Sequence, residues 1–139
     1  MSERKLRCEV ITPEKIVYSG EVDMVVAPGA GGELGILPLH MPLITTLSIG
    51  ELRLKHGPDN QDYIAIDGGY LEVREDKVTV LADAAEYASK IDVAELNRMK
   101  ADIETEVASL AADSEEFFTA ATELEAISNR IKVAENRSD

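Results

Sequence analysis

Two different periods divide the chain. Up to residue 86 apolar residues alternate with polar ones in runs of five to eight, the pattern of half-buried strands. "LRCEVI" sets Leu6, Cys8 and Val10 on one face and Arg7 and Glu9 on the other. "KIVYSGEVDMVVAP" reads as two strands around Ser19-Gly20, and "ELGIL" and "ELRLK" as two more. "QDYIAID", "GYLEVR" and "KVTVLAD" follow, divided by Gly68-Gly69 and by Glu75-Asp76. Eight to ten short strands at this spacing predict a sandwich or a flattened barrel.

From Asp92 the period lengthens to three and four. Val93, Leu96, Met99, Ile103, Val107 and Leu110 form one stripe. Phe117, Ala120, Leu124, Ile127, Ile131 and Ala134 form a second, with a heptad-type seam. Asp92 with Glu95, and Asp113 with Glu116, supply capping-box-like starts. A connection near Ala112–Ser114 makes the simplest arrangement an antiparallel helical hairpin. The reading is therefore α+β by segment, with a β domain over 1–87 and a helical hairpin over 88–139.

Composition sharpens that division. All nine glycines and all five prolines lie before residue 70. There is no Trp and aromatics make up 4%, so the core is built from Val, Ile, Leu and Ala. The formal net charge of −13 argues against nucleic acid and against direct binding to anionic lipid heads. Residues 89–139 carry six Lys/Arg against twelve Asp/Glu, a net −6, which leaves −7 for residues 1–88. Cys8 is the sole cysteine, so no internal disulfide forms, and it reads as a small buried hydrophobe. "MSERKLRCEV" has no apolar segment of signal-peptide type, and no window approaches a membrane span, so the expectation is a soluble cytosolic chain.

The stretch "GAGGELGILPLHMPLI" resembles a phosphate cradle, yet it fails both tests for one. Leu34 stands at the third position of G-x-G-x-x-G, and no Gly-Lys-Ser/Thr closes a Walker loop. Pro38 and Pro42 forbid the long helix that should follow. The stretch instead reads as a turn, a short strand and a rigid Pro-flanked loop suited to docking. His40 reads as a structural or interface residue, since His56 is the only other histidine. No G-x-S-x-G, calcium loop or metal-ligand spacing occurs, so no enzyme, cofactor or metal is expected.

"GELGILPLHMPLIT", "IDGGYLEV" and "VTVLADAAEYASKID", in that order, resemble the epsilon subunit of the F-type ATP synthase over essentially the whole chain. The resemblance implies an N-terminal ten-stranded antiparallel β-sandwich followed by a C-terminal two-helix hairpin. It also implies a non-catalytic place in the central rotor stalk, at the cytoplasmic face of the cell membrane, bound to the gamma subunit and to the c ring. The hairpin in that family lies on the sandwich or extends to the alpha/beta head, where it blocks ATP hydrolysis. The loop toward the c ring matches Glu33, Leu34 and Gly35, with His40 and Met41 near the same surface. Members that bind ATP carry I/L-D-x-x-R-A. Here "IDVAEL" places Glu95 and Leu96 where Arg and Ala are expected, and a carboxylate there repels phosphate. A rival reading is a free-standing sandwich that binds a small apolar ligand.

Overall fold

A computed structural model describes residues 4–136. Residues 1–3 of the expected β domain and 137–139 of the expected hairpin lie outside the described residues. The strands are β1 (Leu6–Ile11), β2 (Ile16–Val22), β3 (Met24–Gly29), β4 (Gly32–Ile36), β5 (Leu43–His56), β6 (Asn60–Arg74), β7 (Lys77–Ala82) and β8 (Ala85–Tyr87). A 3-10 turn at Ala88–Lys90 leads to helices α1 (Val93–Ala108) and α2 (Glu115–Asn136).

Hydrogen bonding links the strands in the order β2-β1-β7-β6-β5-β3-β4, with β8 on β6. Strands at distant places in that order nevertheless share one core. Leu6, Cys8 and Val10 of β1 join Val25 and Ala27 of β3 and Ile36 of β4 in one buried cluster. The sheet must fold over itself to bring them together, which makes it a sandwich. Each fully buried Val, Leu or Ile contributes roughly 1.5–3 kcal/mol. Cys8 is part of this core, and burial pushes its thiol up to about 12.

Expectations of strand number and pairing need correction. Among the described residues there are eight strands, not ten. "QDYIAID" and "GYLEVR" are a single strand, β6, which runs straight through Gly68-Gly69. Gly68 (φ +109°) and Gly69 (φ +134°) adopt conformations that other residues avoid, so the strand bends without ending. The β5–β6 ladder keeps its register across the bend, from Leu47↔Gly69 to Ile49↔Asp67. On its other edge β6 changes neighbour there, from β8 at residues 64–66 to β7 at residues 69–74. The sandwich is also not wholly antiparallel, because β1 and β7 pair in parallel.

Ser19-Gly20 does not divide two strands. Both residues sit within β2, paired with Glu9 and Cys8. The break falls at Asp23, whose backbone N–H donates to Lys55 O at 2.8 Å. Its carboxylate accepts from Lys5 and from the Gly57 amide.

Helix α1 starts as expected, with Asp92 Oδ1 accepting from Glu95 N at 3.1 Å. The second cap is Ser114 rather than Asp113: its Oγ accepts from Phe117 N at 3.1 Å. Leu96 and Ile103 meet Ala120, Ile127 and Ile131 in a core separate from the sandwich. Met99, expected on the seam, is 37% exposed. Helix α2 also buries Ala126 and Val133, because it lies against β5 and β6 as well as α1. There Asn129 Nδ2 donates to Gly50 O at 3.0 Å, and Arg130 Nη2 to Asp67 Oδ2 at 2.6 Å.

Candidate functional site

The Pro-flanked loop leaves β4 after Ile36, which is buried in the core. His40 N donates to Leu37 O at 3.1 Å and closes a turn. Within it Leu39 has φ +69°, the left-handed region that a leucine rarely adopts. Its amide donates to Asp76 Oδ1 at 2.7 Å, on the turn between β6 and β7. The Arg4 guanidinium also binds Asp76. The Leu39 amide first, and then Arg4, hold the Asp76 carboxyl below the usual aspartate range.

Fixed in this way, the loop turns its apolar side chains outward. Leu37 is 54% exposed, Leu39 71% and Met41 77%, and Ile44 at the start of β5 is 72% exposed. The surface continues across the sheet. Thr46 pairs with Tyr70, Tyr70 with Leu81, Leu81 with Ile11, and Ile11 with Ile16. Tyr70, Leu81 and Ile16 are each more than half exposed. One outward row thus crosses five strands, with Ile44 two positions from its Thr46 end. Exposed apolar side chains arranged contiguously mark interaction surfaces, whereas scattered ones do not.

The five residues expected at the interface fall into two groups. Glu33 lies on β4, where its carboxylate receives Arg53 Nη1 at 3.0 Å, and Arg53 also reaches Glu51 at 3.2 Å. Leu34 is half-buried and packs on the core. Gly35 is exposed, with the Met24 side chain close over it. Met41 belongs to the apolar loop. His40 is half-buried there, its Nδ1 2.8 Å from Met41 O. Sequence reasoning missed Leu37, Leu39, Ile44, Asp76 and the row through Tyr70. The available signal was apolar residues on the polar phase of a strand, such as Ile44 beside the inward-facing Leu43.

In the helical part Glu95 is exposed and pairs with Arg98 at 3.1 Å. Leu96 is buried in the hairpin seam. Among the described residues no group of three or more His, Cys, Asp or Glu is placed to hold a metal ion. Among the same residues no helix is long and apolar enough to cross a membrane.

These features define a β-sandwich domain with an exposed apolar surface and a helical hairpin packed on its flank. The model of the ATP synthase delta/epsilon chain beta-sandwich domain matches residues 5–88. The chain belongs to the family of ATP synthase epsilon chains. It is 44% identical to that of Desulforamulus reducens, over 93% of this chain and 96% of the relative. It is likewise 44% identical to that of Dehalococcoides mccartyi, over 96% of this chain and 94% of the relative. Its fold matches a chain in the Euglena gracilis mitochondrial ATP synthase with a TM-score of 0.76. That match covers 90% of this chain and 78% of the other, at 18% identity. A chain in the central stalk and c-ring structure from Tetrahymena thermophila matches with a TM-score of 0.62, covering 96% and 99% of the two chains at 15% identity.

Proposed function

We propose that the chain is a non-catalytic central-stalk subunit of a rotary ATP synthase, joining the gamma subunit to the c ring at the cytoplasmic face of the membrane. The observation that carries this reading is the contiguous apolar surface on a rigid sandwich. The loop of Leu37, Leu39 and Met41, with His40 and the Glu33–Gly35 strand, is the side offered to the c ring. The row through Tyr70, Leu81 and Ile16 is the side offered to gamma. An interface needs a desolvated apolar centre with a polar rim, and the row has Glu9, Glu72 and Thr79 on the same outward phase. Residues 1–87 act as the docking domain and residues 88–139 as a hairpin that limits ATP hydrolysis when it extends toward the alpha/beta head. The net charge of −13 fits attachment through protein partners better than through anionic lipid.

Two substitutions test the two sides. Leu81→Glu puts a charge in the middle of the row and leaves the core untouched, because Leu81 is 51% exposed. It is expected to weaken capture of gamma by about tenfold or more, with an unchanged melting transition. Glu33→Lys is expected to lower ion pumping per ATP hydrolysed in reconstituted membranes. Its fold persists, since Arg53 keeps Glu51 and an exposed pair contributes only about 0–1 kcal/mol. Normal gamma capture by the first variant and normal pumping by the second would remove these surfaces from the assembly.

A further inference from the structure

The Pro-flanked loop takes one of its bonds from outside itself. Inside it there are the turn bond from His40 N to Leu37 O and the contact of His40 Nδ1 with Met41 O. Neither reaches the amide of Leu39, the one residue of the loop with a left-handed backbone. That amide is satisfied from another element, by Asp76 Oδ1 at 2.7 Å, 37 positions away in sequence.

Asp76 is in turn fixed from three directions. It is the second residue of a tight turn in which both Glu75 (φ +53°) and Asp76 (φ +63°) are left-handed, the geometry that matches the twist of paired strands. Its carbonyl oxygen accepts from Arg7 N at 2.8 Å, at the start of the parallel β1–β7 pairing. Its second carboxylate oxygen is taken by Arg4. The side chain is only 19% exposed, although it lies at a turn. The β6–β7 hairpin thus presents an oriented acceptor at the one point where the loop needs one.

We propose that Asp76 is the positioning residue of the docking loop: its carboxylate holds Leu39 in the left-handed conformation and so sets the direction in which Leu37, Leu39 and Met41 project. The inference rests on the reading of this loop as the surface offered to the c ring. It adds that the shape of the surface is stored outside the loop, in the β6–β7 turn. A loop ordered before contact loses less conformational entropy on binding than one ordered by it.

The test uses the full chain. Asp76→Gly removes the acceptor yet suits the left-handed turn position, and Asp76→Asn keeps an oxygen able to accept from Leu39. Amide hydrogen exchange reads the pin directly. Asp76→Gly is expected to speed exchange at Leu39 by about tenfold or more while the core amides of Leu71 and Val80 stay protected, and Asp76→Asn to restore protection. In the reassembled complex, Asp76→Gly is expected to weaken attachment to c-ring-containing membranes severalfold, and Asp76→Asn to recover it. Leu39→Asp, which leaves the pin in place, is the control for the interface. Unchanged Leu39 exchange in Asp76→Gly overturns the proposal. So does faster exchange with normal attachment, if Leu39→Asp weakens attachment. Normal attachment with Leu39→Asp overturns instead the reading of the loop as an interface.

Discussion

Arg130 of α2 donates to Asp67 of β6 at 2.6 Å, joining the hairpin to the sandwich across 63 positions of sequence. The two side chains are 20% and 18% exposed, and Arg130 Nε also lies 4.0 Å from Glu86. Burial nevertheless pushes the Asp67 carboxyl above the ordinary aspartate value of 3.8: it outweighs the attraction of Arg130, and Asp83 adds to it. The other oxygen, Oδ1, is buried with no hydrogen-bond partner.

A raised carboxyl stabilises the folded chain below 3.8, and the contribution is lost as pH rises through the elevated value. Asp23 and Asp76 have the opposite sign, because their carboxyls are held low. Their contribution is present above 3.8 and fades as pH falls through their depressed values. Acidification from neutral toward 3.8 therefore strengthens the Asp67 contribution before the other two weaken. Asp67→Asn is expected to flatten this part of the stability profile, measured by melts across the acidic range. Superimposable pH slopes for the two chains would count against it. Arg130→Ala leaves Asp67 without its cation and is expected to cost about 1–3 kcal/mol.

Gly69→Ala tests the bend that keeps β6 whole. An added Cβ would lie 2.0 Å from Leu81 O, at a backbone φ of +134°. The expected loss is about 2–4 kcal/mol of unfolding free energy by denaturant titration. Gly31→Ala, where nothing lies within 4 Å, is expected to stay within about 0.5 kcal/mol. Similar midpoints for the two variants would mean that the bend is not sterically tight.

Nucleotide binding is expected to be absent. Glu95 is exposed and engaged with Arg98, Leu96 is committed to the hairpin core, and the surrounding segment is acidic. Titration calorimetry of the isolated chain with Mg-ATP should show no saturable heat at micromolar concentration. A saturable isotherm there would refute this reading.

The hairpin is expected to be dispensable for the sandwich. The main core cluster draws only on residues up to Tyr87, and the helical cluster begins at Ile91. A chain ending at Ser89 should keep one cooperative melting transition and still join gamma. Laid end to end, residues 92–136 as helix reach roughly 65 Å at ~1.5 Å per residue, enough to leave the sandwich for the head of a stalk. The complex carrying the truncated chain is expected to hydrolyse ATP faster than one with the full chain. Equal rates would show that this hairpin is no brake, and loss of the transition would show that it is part of the sandwich core.

The sequence by itself determined the order of strands before helices, the inward face of β1 and most of the hairpin seam. Alternation at Leu6, Cys8 and Val10, and three-four spacing at Leu96, Ile103, Ile127 and Ile131, are local consequences of side-chain geometry, so they can be read without contacts. The family was legible for a related reason: its motifs fall in continuous stretches. Only the tertiary structure decided how many strands there are, because a glycine pair reads equally as a turn or as a bend until a neighbouring strand holds its register. Only it decided that α2 buries a second face at Ala126 and Val133, since that face exists where β5 and β6 lie beneath it. The loop's geometry belongs to the same class. Leu39 owes its conformation to Asp76, and Arg130 its direction to Asp67. Such bonds join residues far apart in the chain, and no periodicity carries their trace.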